Sequence, residues 1–222
     1  MVNAGVSHPE IANGVHQTEA TAARPPIRLS KLPKNLSPRT KPVWFEAVWM
    51  LTEALLVSNP LQISSGLRVA VLRLFGAKIG VETLIRDVRV KYPWKLEVGD
   101  RCWIGERVWF HNQDHLTIGC DSVVSQETFI TTGSHDIAET MHLVTKPVRI
   151  GDGVWITSRC IVQMGVTIGD NAIVTPGSVV HRSLASGGIY GGNPATFKRN
   201  RWVENPERDL VSQMGNPEAA PL

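Results

Sequence analysis

The sequence predicts a mainly β fold: a parallel β-helix whose short strands wind into a triangular prism, preceded by two short helices. Three observations predict it. Ile150, Ile156, Val162, Ile168, Val174 and Val180 recur every six residues, and the same phase holds for Val98, Ile104 and Phe110 and for Ile118, Val124 and Ile130. The residue after the aliphatic is often glycine, as at Gly80, Gly99, Gly105, Gly119, Gly151 and Gly169. Four positions after it sits a small or modest residue: Cys102, Val108, Ser122, Thr128, Ser134, Cys160, Ala172 or Ser178. That slot lies two residues before the next aliphatic, so both point to the same side of an extended strand. One bulky and one small side chain per strand suit a narrow interior. Six residues therefore make one strand and one tight turn, with glycine read as supplying φ > 0. A sandwich of short strands does not hold a strict period of six through six consecutive units.

The elements follow in order. Residues 1–40 are rich in Ala, Thr, Pro and Lys without periodicity and read as a flexible arm. Residues 41–77 form a helical segment. "VWFEAVWMLTEALLV" gives a first helix over about 42–57, and "SGLRVAVLRLFGA" a second with Leu67, Val71, Leu74 and Phe75 on its packed face. The prism runs over residues 78–190, with a weaker start at Ile79 and Ile85, and residues 191–222 form a basic segment and tail. The register breaks at "SHDIAETMHLVTKPV": Ile130 and Ile150 stand twenty residues apart against eighteen in an unbroken coil, so a loop over 136–147 leaves the prism. A two-residue excess between Phe110 and Ile118 marks a bulge.

Composition sets the outer limits. A chain of 222 residues that is 42% hydrophobic buries a real core, and a net charge of +3 is too weak to predict nucleic acid as a partner. Cys102, Cys120 and Cys160 are odd in number and lack metal-ligand spacing, so neither a disulfide framework nor a metal is expected. With no apolar leader at the N-terminus, the expected compartment is the cytoplasm. The apolar stretch at 43–57 is short for a span and carries Glu46 and Glu53, which leaves room for membrane-surface contact without predicting it.

"LFGAKIG", "KYPWKLEVGDRCWIGERVWF", "TGSHD", "TKPVRIGDGVWI", "GVTIGDNAIVTPGSVV" and "GGNPA" together carry a resemblance. The chain resembles the left-handed β-helix hexapeptide-repeat acyltransferases, above all O-acetyltransferases of the colanic-acid-biosynthesis type, from about Phe75 to Lys198. The resemblance implies left-handed coiling, a homotrimer with acetyl-CoA between neighbouring prisms, and acetyl transfer to a hydroxyl of a sugar or polysaccharide precursor. It makes His135 of "TGSHD" the general base, since neutral imidazole can take the proton that an alcohol holds at neutral pH. An orienting partner is expected near "FHNQDHLTIG", where relatives carry an acid at the position of His111; Asn112 and Asp114 are the candidates, with Asp136 adjacent. The "GDGVW" turn is expected to donate a backbone N–H to the oxyanion.

The same resemblance sets pantetheine along Trp155, Ser158, Pro176 and Gly177. It sets the phosphates against His181 with Arg182, where relatives often show Thr-Lys, and against Lys198 with Arg199. Two other readings stay open: an acetyltransferase for a non-sugar acceptor such as serine or an antibiotic, and a metal protein like the γ-carbonic anhydrases. His135 and His142 are seven apart, which does not match the histidine spacing of the latter. The acceptor pocket is expected between the 136–147 loop and the N-terminal helices.

Overall fold

The computed structural model describes residues 40–137 and 140–202. The predicted arm, apart from Thr40, and the tail beyond residue 202 lie outside the described residues. Pro42 precedes the first helix, α1 (Val43–Thr52), which continues through a wider π-helical turn, Glu53–Val57. Trp49 pins its inner side: the buried indole donates its N–H to the Val90 carbonyl at 3.0 Å. Phe45, Trp49, Phe75 and Trp94 pack there with ring centroids 5.0 to 5.5 Å apart.

Ser64 caps the second helix, α2 (Ser65–Leu74), its hydroxyl accepting the Leu67 N–H. The packed face differs from the expected one. Arg68, Val69, Val71 and Leu72 are buried, whereas Leu74 is 81% exposed and Leu67 is also outside. The cause is Arg68, whose guanidinium donates to the carbonyls of Val57, Asn59 and Gln62. One fork of donors satisfies three backbone acceptors of the inter-helix turn, which draws this arginine inward and rotates the helix about its axis.

From Lys78 the chain winds into three parallel sheets that enclose one core. The first face stacks Lys78–Ile79, Leu96–Val98, Leu116–Ile118, Val148–Ile150 and Thr167–Ile168. The second stacks Leu84–Ile85, Trp103–Ile104, Val123–Val124, Trp155–Ile156, Ile173–Val174 and Gly188–Gly191, closed by an antiparallel strand, Thr196–Asn200. The third stacks Val88–Val90, Val108–His111, Phe129–Thr131, Ile161–Val162 and Val179–Val180. Register sets like on like: Ile118 pairs with Ile150 and Ile150 with Ile168, while Ile130 pairs with Val162 and Val162 with Val180. The aliphatics of the six-residue phase are buried in continuous columns, and Cys102, Ser122, Thr128, Cys160, Ala172 and Ser178 fill the spaces between them. Ser134 is the exception. It is exposed, because the chain has already left the prism there.

The glycines after the aliphatics serve a different purpose from the one expected. None of these six has a positive φ. A Cβ on Gly99 would stand 2.7 Å from the Cys120 nitrogen, and one on Gly119 2.6 Å from the Gly151 carbonyl carbon. They are glycines because the next coil's backbone occupies the Cβ position. The left-handed conformation falls two residues later, and non-glycine residues mostly adopt it: Glu82, Arg101, Arg107, Asp121, Glu127, Arg159 and Asn171, with φ from 53° to 61°.

The path from the third face to the first is where the coils differ. It takes six residues between Val162 and Ile168, eight between Val90 and Val98 and between Phe110 and Ile118, and twenty between Ile130 and Ile150. Ile150 stacks directly on Ile118. The register break is therefore an insertion within one side of one coil, and the count of eighteen for a full coil does not apply.

Candidate active site

The insertion opens with Gly133–His135, paired antiparallel to Leu143–Thr145, so that His135 faces Leu143 across a two-stranded hairpin. Its backbone is held by this hairpin, whereas sequence phase had placed it on the prism. Asp136 shapes the turn: its carboxylate accepts the Thr140 N–H and hydroxyl, and its own N–H donates to the His142 carbonyl. His135 is exposed, and its Nδ1 lies 2.9 Å from the Met141 carbonyl oxygen. A carbonyl can only accept, so Nδ1 carries the hydrogen and the neutral ring presents Nε2 as a bare lone pair.

Neither Asn112 nor Asp114 is the bonded partner of that ring. Asn112 is fully buried; its amide accepts the Tyr92 N–H at 3.1 Å and donates to the Tyr92 carbonyl at 2.7 Å. Asp114 accepts its neighbour His115's N–H, and its own N–H donates to the Thr132 hydroxyl. Both stitch successive coils together at the corner from which the hairpin departs. His111 is closer to the route. Its Nδ1 is 3.1 Å from the Thr131 hydroxyl, which donates in turn to the Gly133 carbonyl on the strand of His135. Burial, and then the nearby Lys91 cation, hold the His111 imidazole below its ordinary pKa.

Two clefts border the third face. One, of about 370 Å³, lies between α1 with its π turn and the third face, lined among others by Glu46, Glu53, Arg89, Tyr92, Trp109 and His111. The Arg89 guanidinium sits 4.5 Å over the Trp109 ring. The other, of about 520 Å³, opens where the second face turns into the third and is lined by Gln126, Glu127, Ser158, Arg159, Pro176 and Gly177. It brings together three of the residues assigned to pantetheine. Trp155 stands three residues before Ser158, half-exposed, its indole donating to the Ser125 hydroxyl at 3.0 Å. His181 and Arg182 follow the third face at its other corner, and Lys198 and Arg199 lie exposed on the outermost strand.

The coils that carry these residues resemble those of known proteins. Residues 147–182 fit the model of the bacterial transferase hexapeptide (six repeats). The putative colanic acid biosynthesis acetyltransferase WcaF of Escherichia coli (strain K12) is 39% identical over 156 residues, covering 69% of this chain and 86% of that one. The chain belongs to the hexapeptide-repeat acetyltransferases. The E. coli K12 galactoside O-acetyltransferase is 24% identical over 147 residues, covering 64% of this chain and 71% of its own length. Among solved structures, a maltose O-acetyltransferase from Clostridium difficile 630 superposes with a TM-score of 0.63 at 25% identity, covering 73% of this chain and 90% of that one. The hexapeptide-repeat acetyltransferase VCA0836 of Vibrio cholerae O1 biovar eltor, crystallised with acetyl-CoA, gives 0.64 at 22%, covering 72% and 87%.

In this hexapeptide-repeat acetyltransferase the "GDGVW" turn does not offer the expected oxyanion donor. Every N–H from Gly151 to Trp155 is taken by an adjoining coil: by Ile168 O, Asp170 Oδ1, Cys120 O, Ser122 Oγ and Ala172 O in turn. Among the described residues no group of three His, Cys, Asp or Glu side chains is gathered to hold a metal. Sequence reasoning missed the Met141 carbonyl, a backbone group with no residue-type signature. It also missed Gln126 and Arg159, which line the second cleft. Gln126 was findable: it lies one coil below Ser158, whose hydroxyl donates to its side-chain oxygen at 3.2 Å.

Proposed function

We propose that this enzyme transfers the acetyl group of acetyl-CoA to a hydroxyl of a sugar or polysaccharide precursor, with His135 as general base. The observation that carries the reading is the Nδ1–H bond to the Met141 carbonyl, which leaves Nε2 as acceptor. Nε2 takes the acceptor's hydroxyl proton, and the oxygen attacks the thioester carbonyl. The tetrahedral intermediate then expels the CoA sulfur, which leaves with the proton from the imidazolium. No covalent enzyme intermediate is needed, because the thioester already carries an activated acyl group. Likeness to WcaF and to galactoside O-acetyltransferase supports a sugar acceptor. The cleft beside α1 supports it chemically, since Glu46, Glu53 and Arg89 line it with polar groups beside the Trp109 ring.

Pantetheine runs in the cleft of Ser158, Pro176 and Gly177, and the phosphates meet Lys198, Arg199, His181 and Arg182. The cleft is open on one side, which a neighbouring copy closes in a homotrimer of left-handed prisms. Three free cysteines suit the reducing cytoplasm.

The test is CoA release from acetyl-CoA against a panel of free sugars, nucleotide sugars, serine and chloramphenicol. Turnover with a sugar, lowered about 10²- to 10⁴-fold in His135→Ala with trimer and acetyl-CoA affinity intact, is the expected result. A variant keeping more than half the turnover would remove His135 as base; turnover with serine or chloramphenicol alone would remove the sugar.

A further inference from the structure

The helix α1 is fastened by its inner side and bare on its outer one. Trp44, Val48, Leu51 and Leu55 recur at helical spacing along the continuous helical stretch and are 67%, 49%, 64% and 56% exposed. Val43 extends the stripe, and Leu61 and Ile63 in the connection to α2 are more than four-fifths exposed. No charged side chain interrupts the stripe, because Glu46 and Glu53 turn toward the cleft with Arg89 and Trp109. A water-facing helix normally carries its charges on this side. Fifteen residues of helix reach about 22 Å, too short to cross a bilayer, and among the described residues no helix is long and apolar enough to do so.

Charge names the partner. Between Glu19 and Glu46 the sequence has no acidic residue, but it has Arg24, Arg28, Lys31, Lys34, Arg39 and Lys41. A run of cations leading directly into an apolar helix face is the pairing that holds a protein in the interface of an anionic bilayer, where neither signal suffices alone. A second copy fits poorly, since its sequence carries the same cations before the helix and brings no surplus of acid to meet them. We infer that the outer face of α1, with the basic segment before it, docks this enzyme on an anionic lipid surface, Trp44 and Leu51 entering the headgroup region. The cleft on the inner side of α1 then lies one helix away from the membrane, near an acceptor carried on lipid.

The test is sedimentation of the full-length protein with phosphatidylcholine vesicles, with and without phosphatidylglycerol. Binding to the anionic vesicles at least ten times stronger than to the neutral ones, and weakening with added salt, is expected. Trp44→Gln with Leu51→Gln should lose that binding at least tenfold while CoA release with a soluble acceptor stays unchanged, since neither residue lines a cleft. Lys31→Gln, Lys34→Gln and Arg39→Gln, made together, leave the helix intact and should lose it too. Equal sedimentation with and without anionic lipid overturns the inference. So does a concentration-dependent association of the protein alone that Trp44→Gln with Leu51→Gln abolishes, which would make the face a contact between copies. The acceptor assay is independent of vesicles, so failure here leaves the acetyl-transfer reading standing.

Discussion

His111 and Asn112 are neighbours in sequence and do different work. The Asn112 amide is buried and closes both polar groups of the Tyr92 backbone, one coil below. Asn112→Ala should therefore destabilise the protein by about 1–3 kcal/mol for each group left unpaired, read from denaturant unfolding. If Asn112 instead oriented His135, stability would hold and turnover alone would fall. His111 titrates. Its folded-state pKa is lowered first by burial and then by Lys91, so protonation favours the unfolded chain, and His111 costs stability as pH falls below the ordinary histidine value. Lys91→Met should raise the His111 pKa, measured by NMR, yet leave it below that ordinary value, because burial is the larger cause. A pKa unmoved by the substitution would mean that Lys91 does not face the ring.

At the scale of one turn, the sequence announced where glycine stands but not why. The six-residue phase was legible because each aliphatic fills the same interior position on every coil, so one row of residues repeats the whole geometry. The reason for the glycines was not, because the atoms that exclude a Cβ belong to the next coil, far along the chain. The two kinds of glycine should behave differently. Gly119→Ala drives a methyl to 2.7 Å from the Gly151 carbonyl oxygen, backbone against backbone, and should cost at or beyond the upper end of the ~1–3 kcal/mol of ordinary overpacking. Gly177→Ala meets nothing within 4 Å but holds φ at +71°, so only about 1–2 kcal/mol of left-handed strain is expected. Thermal unfolding of the two variants ranks them; the reverse order would show that coil spacing relaxes easily. Gly177→Ala should also raise the KM for acetyl-CoA, since that open space is where pantetheine is proposed to lie.

For the whole molecule, what sequence made legible stops at the corners of the prism. The columns and the helices follow from counting residues, whereas Ser158, Pro176 and Gly177 were singled out by family resemblance and prove to share one cleft. The hairpin of His135 does not, because an insertion of any length rejoins the coil in phase as long as Ile150 lands on Ile118. The outermost strand marks the corresponding limit at the other end. Thr196–Asn200 turns back antiparallel on Gly188–Gly191, exposed along its length, and so presents Lys198 and Arg199 beyond the last parallel strand. Within the strand these cations have little to do: Lys198 donates to the Thr196 hydroxyl and Arg199 to the Asn200 carbonyl, neighbours that other residues could serve as well. The CoA phosphates proposed to lie here would give them a purpose. A charge-assisted contact to phosphate is worth roughly 1.5–3 kcal/mol when shielded and less at an exposed site. Lys198→Ala with Arg199→Ala should therefore raise the KM for acetyl-CoA about tenfold or more, with the acceptor KM, the mass in sedimentation and the melting temperature unchanged. Repeating the assay with a dephospho-CoA thioester separates the phosphates. If the double variant no longer distinguishes it from acetyl-CoA while the parent enzyme does, the pair grips the 3′-phosphate; if both thioesters weaken equally, it grips the diphosphate. A KM that does not move for either would detach this strand from the cofactor altogether.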